Sequence, residues 1–517
     1  MKLFLKYITI PLVTVTALVS CTQKFDEINT NPDKSTTSTD AWLATNMITS
    51  ITSSDITSTK GFCQPFMLSK YVLWTENQVD FQYNKIARTG FGRLSVLRNV
   101  APMLNYAATE PTGIKNAYSA LAHFIRAWQF YQLSMQVGDI PYSDALKGQS
   151  DGIIKPKYDS QKDVFKGILN ELDSANTLFA SGTDFSGDFI YSGSVDKWRR
   201  LTNTFELHVL MQLHKKTGDA DLNVISRFKD IVANRPLMRD YNDNFAVKYV
   251  NTAGYAYPWS NTPIQLNSFT IYPMVGATLI TPLKNLQDRR LFYYAEPAPT
   301  QITAGKPASD WDAYIGVEAS DPFSSTTAAR AAGKFCDFNN RYKDLFNAEP
   351  VGLLNYWDLQ FILAEATVRG WITGTGAQSY YAAGIQSSMN FLVNYTPAAY
   401  THGMAMDATY IANYPTTAAV ALTGNSENQI KQIITQKYLA GFLQGCDYNA
   451  WYENRRTGYP AFVLNSATNR NLPATQFPVR WLYPQSELDV NADNVAAAIQ
   501  SQYGGSDDAN QVMWLLK

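Results

Sequence analysis

Cysteine and histidine are scarce in this chain, four of each in 517 residues, and that scarcity removes several kinds of chemistry at once. The cysteines stand at positions 21, 63, 336 and 446, with no paired spacing, so neither a disulfide framework nor a zinc site is encoded. His208 and His214 fall on different faces of one expected helix and no H-E-x-x-H run occurs. His123 and His402 are isolated, and all four histidines read as structural. A calcium loop of the D-x-D-x-D-G kind is missing too. Charged residues make up only 17% of the chain, 43 basic against 44 acidic, with no basic run. Nucleic acid is excluded as a partner, because phosphate contacts need clustered positive charge. Beyond the first twenty residues no stretch approaches eighteen apolar residues, so the body is expected to carry no membrane span.

What is present begins at the N-terminus. Lys2 and Lys6 form a short basic region, Ile8–Leu18 an apolar one, and Leu18-Val19-Ser20-Cys21 resembles a bacterial lipobox. Residues 1–20 are therefore expected to be a signal peptide, and Cys21 the diacylated first residue of the mature protein. Residues 21–40 are polar and read as a flexible tether that holds a globular body, 41–517, to lipid.

The body is read as mainly α-helical. Apolar residues recur at three to four positions along Asn116–Val137 through Leu121, Phe124, Trp128 and Tyr131. Similar spacing predicts helices over Ser160–Phe179, Ser194–Lys216, Asp221–Ala233, Asn355–Arg369, Ala377–Val393 and Asn491–Gln502. Before them, Ala41–Arg98 supports two or three helices, with apolar stripes at Trp42–Ile48 and Phe66–Trp74; the Ser/Thr-rich 52–59 stretch between them is not expected to be helical. Helices joined by short links suggest irregular hairpins of tetratricopeptide-like length, without a repeat consensus. Two segments break this pattern: about 238–340 and 394–426 are rich in Asn, Tyr, Pro, Gly and Ser. They read as long loop insertions with a few short strands, where a scaffold of helices usually carries its ligand surface.

Lys431–Pro460 is the densest stretch. Ile434, Tyr438, Phe442, Cys446 and Ala450 fall at helical spacing, and the expected helix runs into Trp451, Tyr452, Glu453, Arg455 and Arg456 before Gly458 and Pro460. Two arginines beside a glutamate and aromatics invite a catalytic reading, but arginines at a helix exit more often lock that end with bidentate bonds. The Ser194…Lys197 and Lys216-Thr217-Gly218 runs mimic two penicillin-binding-protein motifs. Both lie at the ends of one expected helix, so chance explains them better.

Several runs in the same order resemble the SusD/RagB family of outer-membrane nutrient-binding lipoproteins of the Bacteroidota. They are Cys21 with Phe25-Asp26-Glu27-Ile28-Asn29-Thr30-Asn31-Pro32; Gly138-Asp139-Ile140-Pro141-Tyr142; Asp288-Arg289-Arg290; Leu363-Ala364-Glu365-Ala366; Gln436-Lys437-Tyr438 through Arg455-Arg456-Thr457-Gly458-Tyr459-Pro460; and Arg480 with Tyr483-Pro484. The resemblance covers essentially the whole chain. It implies a lid on a SusC-like TonB-dependent transporter, facing the cell exterior from the outer membrane, that captures oligosaccharides or related nutrients with no cofactor and no metal.

A glycan-binding lid needs flat aromatic faces flanked by side chains that bond hydroxyls, and the chain is 13% aromatic. The candidates are Trp259 and Trp311 first, because their neighbours are not a helical stripe, then Tyr257, Tyr314, Trp74, Asn77, Tyr83 and Asn261. Trp128 and Trp198 lie on clear stripes and read as core. Three rival readings stay open: a peptide or small-nutrient binder with a deep pocket, a glycoside hydrolase using Asp310, Asp312, Glu318 or Asp321, and an adhesive protein with no concave site.

Overall fold

The spacing along Asn116–Val137 corresponds to a helix that runs, in the computed structural model, from Thr112 to Val137. Residues 38–53, 59–264, 271–445 and 448–517 are described; the signal segment, Cys21, the tether up to residue 37 and Cys446 lie outside them. The long helix stops at Gly138, whose φ of +91° and crowded position admit no side chain, since a Cβ would sit 1.9 Å from Gln502 Oε1. The next residue starts the next helix: Asp139 Oδ1 accepts Gln161 N at 2.7 Å, and the Ser160 hydroxyl accepts Asp163 N, so Gln161–Ala180 is capped from two sides. Burial pushes the Asp139 carboxyl up to about 6. The Gly138–Tyr142 run is thus a hinge between two helices. Ser194 is likewise an N-cap, accepting Lys197 N at the start of Val195–Gln212, which accounts for the penicillin-binding-protein mimic.

Thr112–Val137 packs against Gln161–Ala180, which packs on Val195–Gln212. Farther along, Tyr356–Val368 packs on Ala377–Tyr395, and both meet Ser426–Ala440. The fold is mainly α, an irregular array of helical hairpins, and its strands are only two short antiparallel pairs among the described residues. Val72–Trp74 pairs with Pro273–Val275, placing Trp74 opposite Pro273; Phe245–Val247 pairs with Val351–Leu354. No described helix is long and apolar enough to cross a membrane.

Three expectations change. The Phe66–Trp74 stripe is not one helix: Thr59–Leu68 is helical, Lys70 turns the chain at φ +64°, and Val72–Trp74 is a strand. The cause is non-local, because the strand's partner comes two hundred residues later. The Lys431–Pro460 stripe is also split, into the helix Ser426–Ala440 and the helix Asn449–Thr457. Between them Gly441 ends the first, and Leu443 and Gly445 take positive φ. The 238–340 insertion holds more helix than its composition suggests, at Ala277–Asn285 and Phe323–Ala331 among others. It is tied down by the Asp288–Arg290 pair, fully buried, whose guanidinium also donates to Ser388 Oγ at 3.0 Å while Asp288 accepts Tyr414 OH at 2.8 Å.

The Arg455–Arg456 knot is a lock. Arg456 donates to Glu365 Oε1 at 2.6 Å and Oε2 at 2.7 Å, a bidentate fork, and its Nε donates to Glu453 Oε2 at 3.1 Å. Lys437 and Gln212 hold Glu453 Oε1 at 3.1 and 3.0 Å. These two arginine-facing carboxylates are held below the usual range by that guanidinium against the pull of burial, while burial keeps His208 neutral, at about 3. Arg455 spans to the carbonyls of Met135 and Val479, at 2.9 and 2.8 Å, with its guanidinium stacked against Trp451 and Tyr452. Beside this network lies a cavity of about 30 Å³ lined by Asp358, Lys437, Gln444 and Glu453, room for a water molecule and not for a sugar.

Candidate ligand face

The strand pair 72–74 and 273–275 is buried in the core, and the segments that follow and precede it are tied to one another by hydrogen bonds. Thr75 N and Oγ1 both donate to Tyr272 O, at 3.1 and 2.7 Å, which fixes the loop after Trp74 against the insertion. Arg330 donates to Pro273 O at 2.8 Å, and the Arg470 guanidinium pairs with Asp80. Asn465 Nδ2 and Thr468 Oγ1 bond Ser320 O. The segments 75–84 and 463–470 thereby meet 318–322 and the helix Phe323–Ala331 beside the strand pair.

The predicted aromatics lie mostly beneath this surface. Trp259, Trp74 and Tyr257 are 0% exposed, and Tyr83 and Tyr314 only 1%. None of these five turns a ring to solvent, because each is enclosed by other rings or held by its hydroxyl. Trp259 sits edge-on to Trp74 at 6.2 Å and against Phe338 at 5.0 Å. Tyr257 stacks on Tyr342, and its backbone N–H donates to Phe346 O at 2.7 Å. Tyr314 donates its hydroxyl to Ala308 O, and Tyr83 to Asp321 O.

Trp311 is half-buried, one edge against Phe292 at 4.7 Å, on a short 3-10 turn capped by Asp310. Its ring packs on the same apolar cluster that holds Trp74 and Trp259. Asn77 and Asn261 are exposed, the first on the loop after Trp74 and the second two residues beyond Trp259. Of the insertion carboxylates, Asp310 caps its own turn, Asp312 is within 3.4 Å of Lys284, Glu318 accepts from Ser320, and Asp321 accepts Tyr83 OH on its backbone carbonyl. Among the described residues no cluster of metal-ligating side chains forms.

Two residues at the rim escape a reading of the sequence. Lys60, in the first turn of Thr59–Leu68, donates to Glu76 Oε2 at 3.0 Å and Asn77 Oδ1 at 2.9 Å and stands over the Trp74 ring. Tyr272 is half-buried beside Trp74, at 5.9 Å. Nothing local in the sequence marks either one: the strand pairing brings Tyr272 to Trp74, and the turn at Lys70 lies between Lys60 and the ring it stands over.

The family model for SusD-like proteins, described as starch-binding and associating with the outer membrane, matches residues 32–484. A solved SusD homologue of Bacteroides fragilis NCTC 9343 is 42% identical, with a TM-score of 0.88 over 93% of this chain and 100% of that one. A second SusD homologue from the same strain is 35% identical, with a TM-score of 0.81 and the same coverage. A chitin-binding SusD homologue from Flavobacterium johnsoniae, 22% identical, shares the fold at a TM-score of 0.68, covering 92% of this chain and 98% of its own. Comparison with the curated proteins finds no match. With a family match over most of its length and a full-length relative above 40% identity, the chain belongs to the SusD-like family of outer-membrane nutrient-binding proteins.

Proposed function

We propose that this protein captures oligosaccharide at the cell surface and passes it to a SusC-like TonB-dependent transporter, held to the outer membrane by lipid on Cys21. Its role is binding and delivery, as its family implies, and not catalysis. The observation that carries the oligosaccharide reading is the rim around Trp74: hydrogen-bonding side chains from separate loops, Lys60, Glu76, Asn77, Asp80 and Arg470, stand together on a solvent-facing surface over a rigid aromatic floor. Hydroxyl-rich ligands are recognised by such sets of donors and acceptors beside an apolar wall. Trp311 and Asn261 are the further candidates for contact.

Affinity electrophoresis of the mature protein through a panel of polysaccharides tests the reading. Retardation on at least one glycan that Asn77→Ala or Glu76→Ala relieves is the expected result. Retardation on none, with binding of peptides by calorimetry, overturns it. Co-purification with a SusC-like barrel from the native outer membrane tests the transporter partner.

A further inference from the structure

Three groups converge on the Lys60 ammonium. Its Nζ donates to Glu76 Oε2 and Asn77 Oδ1 and lies 5.3 Å from the centre of the Trp74 ring. Trp74 Nε1 donates to the same Glu76 oxygen at 3.2 Å, tying the carboxylate to the indole edge. A π face, a carboxylate and an amide oxygen around one nitrogen are what recognises a primary ammonium: the ring quadrupole attracts the charge and the oxygens take its N–H donors.

The two sides of this contact are built differently. Trp74 is immobilised, in a strand paired to Pro273, with its ring against Trp259 and Tyr272 and no exposed surface. The Lys60 and Glu76 side chains are 30% and 32% exposed, whereas Arg456 and Glu365 in the helical lock are 1% and 2%. The Lys60 ammonium can therefore leave for water while the Trp74 ring beneath it stays in place, with Glu76 tied to its indole N–H.

We propose that Trp74, Glu76 and Asn77 form an ammonium-binding seat that Lys60 fills in the absence of ligand, and that the cargo of this rim carries a protonated primary amine, as in an oligosaccharide of 2-amino-2-deoxyhexose units. The proposal rests on the rim being the ligand face. An incoming amine makes the three contacts that Lys60 makes, so exchange at the seat is nearly balanced and net affinity comes from the neighbouring sugar units. Lys60 is then an intramolecular competitor, present at high effective concentration. An N-acetylated sugar lacks the charge and does not take the seat.

Calorimetry with a fully deacetylated glucosamine oligomer and its N-acetylated counterpart, at about pH 6 where the amine is protonated, tests this in wild type, Lys60→Ala and Lys60→Ala/Glu76→Gln. Removing Lys60 should tighten the deacetylated oligomer about tenfold and leave the N-acetylated one unchanged. Adding Glu76→Gln should cancel the gain. Equal affinity for both oligomers in wild type and Lys60→Ala overturns the seat, and if either still binds, the glycan-binding reading stands without it. A second readout needs no sugar: the indole N–H resonance of Trp74, assigned with Trp74→Phe, should shift in Lys60→Ala on addition of methylammonium chloride and not of sodium chloride. No shift beyond the sodium control overturns the proposal.

Discussion

The helical lock at Arg456 and the rim at Trp74 use the same side chains, tryptophan, glutamate and a cation, to opposite ends. At the lock, one guanidinium forks onto Glu365 and reaches Glu453, and all three side chains are 5% exposed or less. At the rim, one ammonium bridges Glu76 and Asn77 in contact with water. A buried pair is strongly missed when one partner goes, because the other is left as an uncompensated charge; an exposed pair contributes little and exchanges partners readily. Residue type therefore does not separate structure from recognition here; burial does.

The sharpest way to break the comparison is at the lock. Arg456→Ala leaves Glu365 and Glu453 with their main counter-charge removed, and about 3–5 kcal/mol of stability should go with it. Chemical denaturation reads the loss, and glycan affinity of the folded fraction should be unchanged. Normal stability with abolished binding would return Arg456 to the ligand site.

Trp259→Ala follows in size. The ring is enclosed and its Nε1 has no hydrogen-bond partner among the described residues, so only packing is lost. A drop of about 3 kcal/mol is expected, at the low end for a buried tryptophan. A variant with unchanged melting and weakened glycan retention would restore Trp259 as a platform.

Trp259 also shows how far the sequence could be read. Helices with continuous stripes and capped starts, such as Gln161–Ala180 behind Ser160, were legible because period and cap are local. So was the family, through runs such as Gly138–Tyr142, whose glycine and aspartate each do a nameable job. Trp259 was misplaced because its neighbours Pro258, Ser260 and Asn261 form no stripe, and its burial comes from Trp74 and Phe338, far away in sequence. At the Lys60 seat, Trp74 and Asn77 were legible as candidates but Lys60 was not, because the turn at Lys70 and the strand Val72–Trp74 that separate it from them leave no local mark. Long-range pairing of short strands leaves almost no mark on local pattern.

Lys70 tests the boundary between the two regions. It is buried beneath the rim, its Nζ held by two neutral acceptors, Gln82 O at 2.6 Å and Asn84 Oδ1 at 2.7 Å. Burial pulls its amine down to about 7, against about 10.4 in the unfolded chain. Between those values the unfolded chain holds a proton that the folded one lacks, so this group makes stability rise with pH across the window. Unfolding free energies of wild type minus Lys70→Met should climb from about pH 7 to about pH 10, by at most about 1.4 kcal/mol per unit. A flat difference would mean that Lys70 stays charged in the fold.

The smallest expected effect sharpens the comparison most, because it concerns a ring that is neither lock nor floor. Trp311 is only half-buried, against Phe292, so Trp311→Ala should cost less than Trp259→Ala, about 1 kcal/mol of stability. A glycan of sufficient length reaches both Trp311 and the Trp74 rim if the two belong to one ligand face. If it does, Trp311→Ala weakens long oligosaccharides by about 1 kcal/mol and leaves short ones alone. A chain-length series in calorimetry separates the outcomes: equal loss at every length places Trp311 in the same subsite as the rim, and no loss at any length removes it from the ligand face.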